Sequence, residues 1–115
     1  MRCRVAVASG DGRLVNRHFG RCDRFLIAEI DTQTAETRYI EERRAEPLCG
    51  CDGHGDGAVE NVYEVLKDCK FVLTERAGLA VKEYFYTRGA VVLEDAAAIE
   101  DALIKLIKHV KMTEG

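Results

Sequence analysis

Five of the chain's cysteine and histidine side chains, each suited to ligating a soft or borderline metal, sit in two short segments: His18 and Cys22 in one, Cys49, Cys51 and His54 in the other. The first reads Val15-Asn-Arg-His-Phe-Gly-Arg-Cys22 and the second Cys49-Gly-Cys-Asp-Gly-His54. In the second, glycines between the ligands give the backbone freedom for two thiolates to converge on one ion. Thiolate and imidazole together suit zinc or iron–sulfur chemistry. A zinc finger does not fit, because no second ligand pair follows at regular spacing. Arg13, Arg17 and Arg21 flank His18 and could offset the charge of an anionic ligand.

The elements that must hold these segments follow from the apolar periodicity. Residues 3–8 form a β-branched run ended by Ser9-Gly-Asp-Gly12, a buried strand and its turn. A polar loop spans Ser9 to Asp23, residues 25–30 give a second strand, and Asp31-Thr-Gln-Thr34 is a hairpin turn into a charged third strand from Glu36 to about Glu41. Four glycines between Glu46 and Gly57 make a second loop. Val59, Val62, Tyr63 and Leu66 then share one helical face. Residues 71–74 are a strand, 77–88 a helix with Gly89 as its left-handed cap, 90–93 a strand, and a last helix capped by Asp95 carries Ile99, Leu103, Leu106, Ile107 and Val110.

A three-stranded meander followed by βα units predicts an α/β fold: a five-stranded mixed sheet in the order 3-2-1-4-5 with three flanking helices, the arrangement of the ribonuclease H-like architecture. Residues 1–115 form a single domain, since nothing resembling a linker or repeat divides them. In that topology the first strand ends, the second begins and the third ends at one sheet edge, so both ligand-bearing loops meet there. The first two helices also start at this edge and turn positive N-termini toward it. Cys3 starts the first strand and Cys69 precedes the fourth, so both belong to the opposite edge, as structural thiols.

Composition narrows the function further. The formal charge of −3 divides into +4 for residues 1–24 and −7 for the rest, which places a basic field at the first loop. No stretch is long and apolar enough to span a bilayer, and Met1-Arg-Cys-Arg4 leads into a strand rather than a signal segment, so the expected compartment is the cytoplasm. An odd number of cysteines in a reducing compartment points to metal or redox chemistry rather than a disulfide framework. A two-metal nuclease is excluded because the first strand carries no carboxylate. No nucleophile elbow supports a Cys–His hydrolase.

The run from Val5 to Asp31, above all Val15-Asn-Arg-His-Phe-Gly20 and Phe25-Leu-Ile-Ala-Glu-Ile-Asp31, resembles the opening of the nitrogenase iron-molybdenum cofactor biosynthesis family. That family includes NifX-like and NafY-like carriers and the C-terminal domain of NifB. Asp68-Cys-Lys-Phe-Val-Leu and the closing helix are similar in layout. The resemblance implies a ribonuclease H-like domain that is not an enzyme: it would take an iron–sulfur or iron-molybdenum cofactor precursor from a donor protein and pass it to an acceptor, with no nucleic acid or membrane partner. It also implies that His18 contacts the cluster, with Asn16, Arg17 and Arg21 beside it. The chain lacks the C-x-x-x-C-x-x-C of a radical-SAM synthase, so the likeness is to the NifB tail alone. The alternative reading is a small regulatory or interaction module in which the cysteine loop binds zinc or senses redox state.

Overall fold

A computed structural model describes residues 1–47 and 58–114. Five strands, β1 (Arg2–Ala8), β2 (Arg24–Asp31), β3 (Glu36–Arg44), β4 (Cys69–Thr74) and β5 (Val91–Glu94), form one sheet in the order β3-β2-β1-β4-β5. β1 pairs antiparallel with β2 and β2 with β3, whereas β1 with β4 and β4 with β5 are parallel. The order and directions are those the sequence predicts. Three helices flank the sheet: α1 (Ala58–Leu66), α2 (Leu79–Tyr86) and α3 (Ile99–Glu114).

Alternation along the strands builds two cores. Ala6, Ala8, Phe25, Ile27 and Val72 face α1 and α2, where they meet Val62, Leu66, Val81 and Phe85. Val5, Val7, Ala28, Ile30, Phe71 and Leu73 face α3 and meet Ala102, Leu103, Leu106, Ile107 and Val110. Val5 to Ala8 are therefore wholly inaccessible to solvent, as expected of a central strand covered on both faces. A register shift between Arg4 and Val5 leaves Lys70 as an extra residue in β4. The bulge sends Cys69 into one core and Phe71 into the other, against the simple period of two.

Several element ends differ from expectation: β4 starts two residues earlier, at Cys69, and α2 is shorter than 77–88, spanning Leu79–Tyr86. β3 continues to Arg44 because it stays paired along the whole of β2, with a register shift at Ile27/Ala28. α3 begins at Ile99 and is not capped by Asp95, whose carboxylate lies 3.5 Å from Lys105 Nζ. The Ile99 N–H is satisfied instead by the Arg13 carbonyl at 2.9 Å. Gly89, with φ of +89°, takes the left-handed position after α2, as predicted.

The far end of β3 is tied to α1 and the start of β4 by a charged cluster. Arg43 donates through Nη1 and Nη2 to the two Asp68 oxygens at 2.6 and 2.9 Å, and through Nη1 to the Val65 carbonyl at 2.9 Å. Arg4 adds a bond to Asp68 at 2.9 Å. These donors, Arg43 first, hold the Asp68 carboxyl well below the usual carboxylate range. A group that is a stronger acid when folded contributes stability above its unfolded pKa, and that contribution is lost as the pH falls below about 4. Asp68→Asn should therefore lower the urea midpoint at neutral pH, and its difference from the wild type should shrink on acidification from about pH 5 to about pH 3. Equal differences across that range would contradict this account.

Candidate functional site

The loop between β1 and β2 crosses the sheet edge where β1, β4 and β5 end. Two residues of the loop clamp it there. Val15 is buried with the α3-side core and Phe19 with the α1/α2-side core, where its ring lies 5.7 Å from that of Phe25 and 5.5 Å from that of Phe85. Asn16, Arg17 and His18 arch over the edge between these two anchors. A single 3-10 turn, Phe19–Arg21, follows.

Backbone hydrogen bonds lock the arch to the sheet. Val15 N–H donates to the Ala97 carbonyl at 2.9 Å, Arg17 N–H to Ala8 at 3.3 Å and Phe19 N–H to Arg76 at 2.8 Å, while the Arg17 carbonyl accepts from Glu75 N–H at 3.0 Å. Thr74, the buried last residue of β4, places its hydroxyl 2.9 Å from the Arg17 carbonyl and 3.0 Å from the Arg76 carbonyl, so one proton is shared between two acceptors. At the loop's base the Asp11 carboxylate accepts from Arg13 N–H and Leu14 N–H, which lowers its pKa.

His18 sits at the crest, with about half of its side chain exposed and Nε2 3.1 Å from Glu75 Oε2. Asn16 is exposed, and its Oδ1 accepts the Gly10 N–H at 2.9 Å, which closes the loop. The Arg17 guanidinium lies over Gly10, where a Cβ would come within 2.6 Å of Nε; only glycine allows that approach without displacing the side chain. Arg21 is exposed at the end of the 3-10 turn.

Cys22 is placed away from the crest. It is 1% exposed, packs in the α1/α2-side core, and its Sγ lies 2.7 Å from the Arg24 carbonyl. Burial pushes its thiol up to about 11, and that of Cys69 up to about 12. Cys22, expected from sequence as a metal ligand, is thus placed in the core, where desolvation opposes the thiolate a metal requires. Cys69 is structural, as expected. Cys49, Cys51 and His54 lie outside the described residues, and among the described residues no three His, Cys, Asp or Glu side chains gather to hold a metal ion.

The electrostatics of the edge also differ from the charge count along the chain. Arg2 pairs with Asp31 and Arg4 with Asp68, both toward the opposite edge, and Arg24 approaches Glu42 at 3.8 Å. Arg13, Arg17 and Arg21 remain at the loop, with no ion pair among the described residues. α2 and α3 both begin at this edge, and two donors there are already engaged: Ile99 N–H by the Arg13 carbonyl and, ahead of α2, Ala77 N–H by a carboxylate. Ala77 N–H donates to Glu94 Oε2 at 2.8 Å, and Lys82 reaches Glu94 Oε1 at 3.3 Å, so this carboxylate's pKa is lowered by the backbone N–H first and the lysine second. The three arginines are the charged groups of this loop that could attract an anion. No helix of the described residues is long and apolar enough to cross a membrane.

The family model described as dinitrogenase iron-molybdenum cofactor matches residues 1–109. The chain belongs to that family. The FeMo cofactor biosynthesis protein NifB of Chlorobaculum tepidum is 32% identical over 99 residues, which is 86% of this chain and 22% of that protein. NifB of Rhodobacter capsulatus is 27% identical over 112 residues, 96% of this chain and 24% of the relative. The chain thus spans under a quarter of the length of these curated relatives. Among solved structures, PH0822 superposes with a TM-score of 0.68 at 25% identity, covering 92% of this chain and 91% of that one. The apo form of the orange protein from Desulfovibrio gigas shares the fold, with a TM-score of 0.60 at 21% identity over 92% of this chain and 88% of that one.

Glu75 and Thr74 are the residues of this site that reading along the sequence misses. The one local signal is a threonine and a glutamate closing an otherwise apolar strand, Phe71-Val-Leu-Thr-Glu75.

Two outcomes test the placement of these residues. Phe19→Ala should lower stability by about 3–5 kcal/mol, measured by urea unfolding, because it empties a packed aromatic site. Cys22 and Cys69 should resist iodoacetamide at about pH 8 in the native protein and react once it is unfolded, as read by peptide mass spectrometry. Rapid native labelling of Cys22 would overturn its assignment to the core.

Proposed function

We propose that this domain is a carrier, not an enzyme, which binds an anionic iron–sulfur species related to an iron-molybdenum cofactor precursor and passes it between metallocluster donor and acceptor proteins. The observation that carries this reading is the position of His18, half exposed at the crest of a loop clamped from both faces of the sheet. A neutral imidazole is a ligand for iron. A rigid loop keeps it aimed without ordering the chain at each binding event. Arg17 and Arg21, with Arg13, supply positive charge beside it. Cys49, Cys51 and His54 complete the ligand set in this proposal. Family membership supports the cargo class, and the NifB relatives are named for FeMo cofactor biosynthesis. The sheet order further supports assigning the domain to the ribonuclease H-like architecture.

Anaerobic reconstitution with iron and sulfide, followed by absorption and EPR spectroscopy, tests the reading. The wild type should take up a cluster, and a His18→Ala, Cys49→Ala, Cys51→Ala variant should lose most of it. No uptake by the wild type, or equal uptake by the variant, rejects the carrier. Zinc without iron in protein purified anaerobically would instead favour a zinc-binding interaction module.

A further inference from the structure

His18 does not stand alone at the crest. Its Nε2 lies 3.1 Å from Glu75 Oε2, and both side chains are partly exposed, His18 at 53% and Glu75 at 38%. Two exposed side chains in contact are commonly of little energetic consequence. Here, however, the backbone on each side of the pair is tied together. Glu75 N–H donates to the Arg17 carbonyl at 3.0 Å, Phe19 N–H donates to the Arg76 carbonyl at 2.8 Å, and His18 and Arg76 form a parallel bridge. The Thr74 hydroxyl joins the Arg17 and Arg76 carbonyls from beneath. The residues bearing the two groups are therefore held in register by main-chain bonds.

We infer that Glu75 is a positioning residue for His18, fixing the imidazole with its proton on Nε2 and presenting Nδ1 to the bound cluster. The contact is an ion-pair distance without hydrogen-bond alignment, but a carboxylate oxygen 3.1 Å from Nε2 repels a lone pair there and attracts a proton, which favours the tautomer protonated at Nε2. In a neutral imidazole the other nitrogen then holds the lone pair, which is the atom a metal takes. A carboxylate behind a ligating histidine orients the ring and raises its basicity, and loss of such a partner typically weakens metal binding about 10- to 100-fold. The ligating role of Nδ1 rests on the carrier reading; the orientation of the ring by Glu75 does not.

The test uses the full chain and separates the two. In iron-free protein, about two pH units above the ordinary imidazole value, nitrogen-15 NMR of the histidine ring should show His18 protonated at Nε2 in the wild type and in Glu75→Gln, which keeps an acceptor oxygen. Glu75→Ala should give an averaged pattern of the two tautomers. After anaerobic reconstitution with iron and sulfide, E75A should show cluster uptake reduced about tenfold or more, or shifted EPR g-values, with E75Q close to wild type. An identical ring pattern in wild type and E75A overturns the inference, as does unchanged uptake and spectrum in E75A. If the wild type takes up no cluster, the carrier reading fails, and the iron-free NMR result alone decides whether Glu75 orients His18.

Discussion

The structure of the site depends on a loop pinned to both faces of one sheet. Val15 enters the core beneath α3 and Phe19 the core beneath α1 and α2, and the three residues between them must therefore pass over the strand ends. A loop held at one end would sample many conformations and lose that freedom on binding. Two buried anchors spaced by four residues remove most of it at the folding step. The hydrogen bonds to Ala8, Glu75, Arg76 and Ala97 then satisfy backbone groups that the arch would otherwise leave without strand or helix partners.

The fold redistributes charge as well as apolar surface. The six arginines of the +4 segment separate in space, Arg24 lying beside Glu42. Arg2 and Arg4 fasten the opposite edge through Asp31 and Asp68, while Arg13, Arg17 and Arg21 stay with His18. Glu94 occupies the donor ahead of α2 that an external anion would otherwise use. The sheet edge is thus a mixed surface with a basic loop on it.

Burial divides the cysteines in the same way. Cys22 lies four residues from His18 in sequence, and proximity along the chain makes it a natural ligand partner. The turn Phe19–Arg21 reverses its direction, so that when Phe19 packs inward Cys22 follows it. The resulting desolvation favours the neutral thiol. Cys69, expected just ahead of the fourth strand, is its buried first residue, and a bulge at Lys70 decides which core it joins.

The strand order, the helices and the meeting of the β1–β2 loop with the end of β3 were legible from sequence, because apolar periodicity is a local signal and short connections leave few ways to assemble the elements. His18 and its flanking arginines were legible from residue type. Asn16 as a loop closure, Cys22 as a core thiol and Glu94 at α2 were not, since each role depends on a hydrogen bond or a packing contact whose presence spacing alone does not reveal. Thr74 and Glu75 were the least visible of all: they lie more than fifty residues from the loop they hold, and only the parallel pairing of β1 with β4 brings them beside it. Sequence by itself therefore determined the elements and the candidate chemistry. Tertiary structure decided which candidates are solvated and which are held, because desolvation and long-range hydrogen bonding exist only once the sheet is assembled.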